Sequence, residues 1–325
     1  MAEVPGAAPE SRTPPRVLVG TAGWADRDLV AAHWYPAHVR TAAARLAYYA
    51  ERFPLVEANT SYYAIPAEQT VRGWVEAAPD LVMNVKAYRL LTGQPTPAAS
   101  LPAPLRQEAV RAWLSPGDVP ATLLHAAWQL FHDALEPLRV AGNLGLVLLQ
   151  FPASVTADSR GRAQVSTALE LCRPLRAAVE WRHASWLAPG RRADSLRLLS
   201  EYDAAYVCVD MPQHSSIAMP ADLEVTAATA VVRLHGRSEH WDDGDKRERY
   251  RYEYGSHDLR RWAANARELA RRAEQVHVIF NNCCAGAAQR AASDLRTGLG
   301  DCAVPPAGRR ERPARHDRLG RPEAE

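Results

Sequence analysis

The chain has 325 residues, 47% of them hydrophobic and 23% charged, with a formal net charge of +2. That length holds one barrel-sized domain or two ordinary ones, with ample material for a core. So even a charge balance excludes a strong general field toward nucleic acid or membrane, and no apolar run approaches the length of a membrane span.

Residues 1–15 are rich in Pro, Ala and Glu and are expected to form a disordered lead-in, without the basic and apolar regions of a signal peptide. From there, eight short apolar runs each end on a polar or charged residue. The first four are Val17–Val19 before Gly20-Thr21, Pro54–Val56 before Glu57-Ala58-Asn59, Leu81–Val85 before Lys86, and Leu144–Leu149 before Gln150. The second four are Ala177–Val179 before Glu180-Trp181-Arg182, Ala204–Val209 before Asp210, Ala230–Leu234 before His235-Gly236-Arg237, and Val276–Phe280 before Asn281-Asn282. Fully buried parallel strands read as such continuous runs. Helical segments separate them, at Thr41–Arg52, Glu68–Ala77, Leu123–Leu135, Ala163–Cys172, Ser195–Tyr202 and Leu259–Ala273. Alternating strands and helices favour parallel βαβ units, and eight right-handed crossovers close into a barrel. The expected fold is an α/β TIM-type (β/α)8 barrel, a single domain over residues 16–302, with its active face where the strands end. Residues 303–325, rich in Arg and Pro, are expected to be a second disordered tail.

Two connections are longer than elements in a compact domain need. One follows the third strand (residues 87–143), and the other is Gly236–Gly255 after the seventh, dense in charge and in Trp241, Tyr250, Tyr252 and Tyr254. Both leave the active face and are candidate lids or substrate walls. The five cysteines (Cys172, Cys208, Cys283, Cys284 and Cys302) lack paired spacing. They read mainly as small buried hydrophobes of a reducing, cytoplasmic protein. Of 39 lysines and arginines only Lys86 and Lys246 are lysine, which makes a lysine at a strand end conspicuous.

The strand ends carry Gly20-Thr21-Ala22-Gly23-Trp24, Trp34-Tyr35-Pro36, Leu46-Ala47-Tyr48-Tyr49-Ala50 and Val56-Glu57-Ala58-Asn59-Thr60-Ser61-Tyr62-Tyr63 in that order. Val85-Lys86-Ala87, Leu149-Gln150-Phe151-Pro152, Ala178-Val179-Glu180-Trp181-Arg182-His183, Arg233-Leu234-His235-Gly236-Arg237 and Phe280-Asn281-Asn282 follow. As an ordered set, spanning residues 16–300, these words resemble the family called domain of unknown function 72, or YecE-like. The resemblance implies a TIM-type barrel and brings no shared activity. Relatives tend to carry a Tyr and an Asn where this chain has Ala287 and Ala291, which implies a different substrate or a weakened site.

Glu57 and Asn59 flank one residue and so share a side of an extended backbone, as do Glu180 with Arg182 and Arg233 with His235. Glu57, Lys86, Glu180 and Asp210 are the candidate catalytic residues: carboxylates for acid–base work, and a lysine that stabilises an anion or acts as a low-pKa amine. A Glu57–Lys86 ion pair is expected, either catalytic or simply closing the barrel top. Trp24 and Tyr62 offer ring faces, while Asn59, Gln150, Asn281 and Asn282 offer hydrogen bonds. Arg182, Arg233, His235 and Arg237 would bind charge, with the loops after strands seven and eight as a phosphate site. Glu57, Glu180, Asp210 and His235 could instead hold a divalent metal, by analogy with other barrels. No nucleotide-cofactor glycine pattern occurs.

The leading reading is an enzyme that hydrolyses or isomerises a small polar or anionic substrate carrying sugar or phosphate groups. A metal-dependent nuclease or phosphodiesterase is the second reading, with nucleic acid disfavoured by the near-neutral charge. A non-catalytic ligand-binding barrel is the third. No membrane partner is expected, and the sequence specifies no oligomeric state.

Overall fold

The computed structural model describes residues 16–109, 111–215, 217–242 and 245–306. The barrel strands are β1 (Arg16–Ala22), β2 (Leu55–Ala58), β3 (Val82–Lys86), β4 (Leu144–Gln150), β5 (Ala177–Glu180), β6 (Ala205–Asp210), β7 (Thr229–Leu234) and β8 (Gln275–Phe280). They form a closed ring in the order β1-β8-β7-β6-β5-β4-β3-β2, with every barrel pairing parallel. All eight expected runs are strands. The helices are α1 (Ala42–Ala50), α2 (Glu68–Ala77), α3 (Ala121–Val140), α4 (Ser159–Cys172), α5 (Arg192–Glu201), α6 (Ser256–Arg272) and α7 (Ala287–Leu299), besides two short turns of helix in loops. No helix among the described residues is long and apolar enough to cross a membrane.

The strand–helix alternation lapses once. Among the described residues no helix joins β6 to β7; the chain from 211 to 228 runs irregularly, interrupted by Pro212 and Pro220. Arg192 on α5 holds this segment through Nε to Asp222 at 2.9 Å and through Nη2 to Glu224. Arg272 on α6 donates Nη2 to Glu224 at 3.1 Å.

The main core lies between strands and helices, where Leu46, Val71, Phe131, Val165, Leu199, Trp262 and Leu295 belong to one apolar cluster with the outward strand residues. On β1, Val17 and Val19 join that cluster, while the alternate residue Leu18 packs with Leu55, Ile279 and Val304 in a second one. Val304 donates its N–H to Val17 O at 2.9 Å. Ala303 and Val304 are therefore part of the domain, not of the tail expected to begin at residue 303. The rest of the two expected tails, residues 1–15 and 307–325, lies outside the described residues.

A buried polar contact joins β3, β4 and β8. The β3–β4 register shifts between Met83 and Val85, and Asn84 Oδ1 accepts from Leu146 N at 3.0 Å across the irregularity. His277 Nδ1 lies 3.1 Å from the same oxygen, and burial pushes this imidazole down to about 3. Gly145 is required beside it, because a Cβ there would lie 2.4 Å from Asn84 Oδ1.

Gly20 is under the tightest constraint in the barrel wall. A Cβ at this position would lie 1.9 Å from the Leu55 carbonyl oxygen, a backbone atom that cannot turn away. Gly20→Ala is expected to destabilise the fold by at least about 3 kcal/mol, the upper range for overpacking. A urea midpoint equal to that of the parent would refute this account of the β1–β2 contact.

Candidate active site at the strand ends

Strand alternation turns Glu57 of β2, Glu180 of β5 and Arg233 of β7 into the barrel, where each is at most 1% exposed. Arg233 donates Nε to Glu57 Oε2 at 3.0 Å and Nη2 to Glu57 Oε1 at 2.5 Å, while its Nη1 donates to Glu180 Oε2. Arg182, two residues past Glu180 and on its side, brings Nη2 to 2.5 Å from Glu180 Oε1. Two carboxylates and two guanidiniums thus balance one another out of contact with solvent. Burial alone would raise the Glu180 carboxyl, but Arg182, Arg233 and His235 more than reverse it and hold it well below its usual value.

His235 belongs to the same cluster. Asn281 Nδ2 lies 2.9 Å from its Nδ1, and its Nε2 lies 3.2 Å from Glu180 Oε1. Arg182 Nη2 also lies 3.2 Å from Nε2, so this ring nitrogen sits between the guanidinium and Glu180. Burial pushes this imidazole down to about 3 against the pull of Glu180, so it is neutral at physiological pH. Asn281 Oδ1 in turn accepts from Asn59 Nδ2 at 3.4 Å, linking the ring to the β2 end.

Lys86 is placed differently from the sequence expectation. Arg233 occupies Glu57, so the expected Glu57–Lys86 ion pair does not form. Lys86 Nζ instead donates to the neutral Gln150 Oε1 at 3.1 Å and lies 4.4 Å from the centroid of the Tyr62 ring. The neighbouring charges already cancel, so an ammonium here would be a surplus cation. Burial, then Arg233 and Arg182, outweigh the opposing pull of Glu180 and Glu57 and bring the Lys86 amine down to about 7.

Lys86 opens on a cavity of about 640 Å³ at the strand ends. Asn59, Tyr62, Gln150, Asn281 and Asn282, the candidate substrate-binding residues of the sequence, are among its lining. Trp24, Arg182, Arg233, His235 and Arg237 do not reach the lining, nor do Glu57, Glu180 and Asp210. Trp24 is buried against Trp74 of α2 at a ring-centroid distance of 5.6 Å, which makes it a packing residue. Asp210 is taken by Arg237, whose Nε lies 3.0 and 3.1 Å from its two oxygens. Arg237 also donates to Asp258 of α6 at 2.9 Å, so this pair ties β6 to the loop and helix after β7. Ala287 and Ala291 are buried on α7 and line no part of the cavity, although Ala288 and Gln289 do.

Several lining residues carried no periodic signal in the sequence. Asp26 and Asp28 come from the loop after β1, and Arg247, Arg249 and Tyr250 from the aromatic-rich loop after β7. That second loop forms one wall of the cavity. The long segment after β3 braces the site from behind. Its Gln94 accepts from Tyr62 Oη at 2.5 Å and donates to Gln150 O at 3.0 Å. Cys283 and Cys284 also line the cavity, with their Sγ atoms 2.9 Å apart. Burial and the neighbouring sulfur push the Cys283 thiol up, away from the reactive thiolate. Only Cys172 and Cys208 are fully buried among the five cysteines, all of which are free thiols.

A divalent-metal set of Glu57, Glu180, Asp210 and His235 does not assemble, because guanidinium groups hold its three carboxylates. Among the described residues no group of three or more His, Cys, Asp or Glu is placed to hold an ion.

Eight parallel strands with a polar cavity at their C-terminal ends define a TIM-type barrel protein. The chain belongs to a family described as "Protein of unknown function DUF72", whose model matches residues 18–315. It is similar to the UPF0759 protein YunF of Bacillus subtilis (strain 168), 28% identical over 279 residues that cover 83% of this chain and 90% of that one. Among solved structures, the DUF72 family protein TM1631 of Thermotoga maritima MSB8 matches with a TM-score of 0.71 and 28% identity, over 87% of this chain and 99% of that one. The DUF72 family protein EF0366 of Enterococcus faecalis V583 shares the fold, with a TM-score of 0.71 and 22% identity over 87% of this chain and 95% of that one.

Removing the central guanidinium should expose what it balances. Arg233→Met is expected to cost about 3–5 kcal/mol at pH 7, since it strands buried carboxylates. Glu180 has a depressed folded pKa, so the stability it contributes is present above the usual carboxylate range and lost as pH falls through the folded value. In the variant that support is gone, and protonation on acidification relieves the stranded charges. Urea unfolding should therefore show the gap between parent and variant narrowing from pH 7 to about pH 4; a gap that widens would contradict the ion-pair account.

Proposed function

We propose that this protein is an enzyme that performs acid–base chemistry on a small polar or anionic, hydroxyl-bearing substrate, with Lys86 taking and returning the proton. The observation that carries this reading is an amine brought down to about 7 that opens on a polar cavity. A base with a pKa near the working pH gives the most useful product of deprotonated fraction and proton affinity. The chain's composition supports it. Where the strand ends need only positive charge they use Arg182, Arg233 and Arg237, and a guanidinium stays charged at any physiological pH. An amine is the exception there.

Isomerisation is favoured over hydrolysis. The strand-end carboxylates expected to serve hydrolysis, Glu57, Glu180 and Asp210, are committed to arginines, which leaves Asp26 and Asp28 as the carboxyls at the cavity wall. Asn59, Asn281 and Gln289 suit hydroxyl groups, and Tyr62 and Tyr250 suit the apolar face of a sugar-like ring. Arg247 and Arg249 at the rim favour an anionic substituent, although Arg247 already contacts Asp28 at 2.7 Å. Mutually paired strand-end charges also favour the reading of a non-catalytic ligand-binding barrel. The free thiols fit the expected reducing, cytoplasmic setting.

Two lysines make the titration of Lys86 directly readable. Reductive methylation with [13C]formaldehyde should give one lysine signal with a midpoint at about 7, which Lys86→Met removes. A Lys86 signal moving only above about pH 10, the ordinary lysine range, would overturn the assignment. Candidate hydroxy-aldehydes and hydroxy-ketones should be turned over by the parent and at least about 100-fold more slowly by Lys86→Met; ligand binding without turnover would select the binding barrel.

Stability provides an independent check. The folded pKa of Lys86 lies below its unfolded value, so between about 7 and 10.5 the unfolded chain binds the proton more tightly. Parent stability should rise with pH through that window relative to Lys86→Met, whose stability at pH 7 should equal or exceed the parent's. Chemical denaturation at pH 7, 8.5 and 10 measures this, and a parent advantage that shrinks with rising pH would contradict the surplus-cation account.

A further inference from the structure

We propose that Lys86 acts covalently, its Nζ adding to the carbonyl carbon of a small hydroxylated aldehyde or ketone to form an imine within the cavity. This rests on the reading of Lys86 as the reactive amine and adds the substrate class and the bond that is made.

Four features of the site point this way. First, Nζ has a neutral hydrogen-bond acceptor, Gln150 Oε1 at 3.1 Å, and both carboxylates nearest to it in the ring are held by Arg233. Its lone pair is thus not committed to a salt bridge. Second, a bond-forming nitrogen must be an amine, because the guanidinium used elsewhere at these strand ends is not a nucleophile. Third, the Tyr62 ring, 4.4 Å from Nζ, covers one side of the amine. Its hydroxyl is fixed by Gln94 Oε1, so the ring face can stabilise a cationic imine and leave attack to the cavity side. Fourth, the cavity of about 640 Å³ presents neutral amides around the amine, which suit the hydroxyl groups of a polyol carbonyl compound.

The step needs no oxidant or reductant. The Nζ lone pair forms the N–C bond as the carbonyl π pair moves to oxygen. Both Nζ protons end on that oxygen, the C–O bond breaks, and amine plus carbonyl become imine plus water. The C=N group then draws electrons from the adjacent carbon and acidifies its C–H bond, which is the chemical demand of isomerising a hydroxy-carbonyl compound.

Borohydride trapping of the full-length parent protein tests the proposal. Dihydroxyacetone or glycolaldehyde at low millimolar concentration is added at pH 7 with and without borohydride, followed by peptide mapping. A borohydride-dependent mass gain at Lys86, at least about tenfold above that at Lys246, is expected from an amine deprotonated near neutrality. Labelling should rise with pH through about 7 and vanish from that peptide in Lys86→Arg. Because the parent carries the readout, poor folding of the variant would not obscure it. If Lys86 is labelled no faster than Lys246 while its methylated form still titrates near 7, the covalent step is overturned and proton transfer stands. If that titration is itself ordinary, both readings fall.

Discussion

Arg233 reaches across the barrel interior to carboxylates from two other strands, and everything above it inherits its charge state from that contact. The guanidinium occupies both oxygens of Glu57 and one of Glu180, and Arg182 takes the other. A buried pair of this kind adds little net stability, because desolvation offsets much of the attraction. Its effect here is to set a neutral frame. With the balance closed, the next ionisable group to enter, Lys86, has no counter-charge left and gives up its proton easily.

Much of the architecture was legible in the sequence because two periodicities are geometric. Unbroken apolar runs marked the eight strands, and their polar ends marked the face that carries the cavity. The alternation rule also paired Glu180 with Arg182 and placed Arg233 with His235, and these residues do share one cluster. What the rule could not supply was partner choice across the barrel. Lys86 follows Glu57 closely in the chain and made the natural counter-ion, yet Arg233, 176 residues away, takes that carboxylate. Closure of the ring brings together strands that linear order keeps apart.

The loops explain most of the remaining differences. Asp26 and Arg247 line the cavity from loop segments, so spacing could not assign them a direction. Trp24 carried a strong local signal, but a ring beside a glycine turn can stack on a ligand or on a helix, and here it meets Trp74. The segment after β3 was expected to be a lid or wall and serves as a brace. Gln94 fixes both Tyr62 and the backbone at Gln150, so a residue that touches no cavity surface sets the position of two that do.

The segment that stands in for a helix between β6 and β7 packs Met211, Met219, Leu223 and Val225 on the core and adds side-chain charge along that flank. Arg192 and Arg272 lean in from the neighbouring helices onto Asp222 and Glu224, each of these groups partly open to water. High ionic strength weakens such exposed pairs, and hardly acts on the buried cluster around Arg233. The molecule thus has two electrostatic systems with opposite sensitivities to its surroundings. Salt can loosen the flank of the barrel while the frame that governs Lys86 stays as it is.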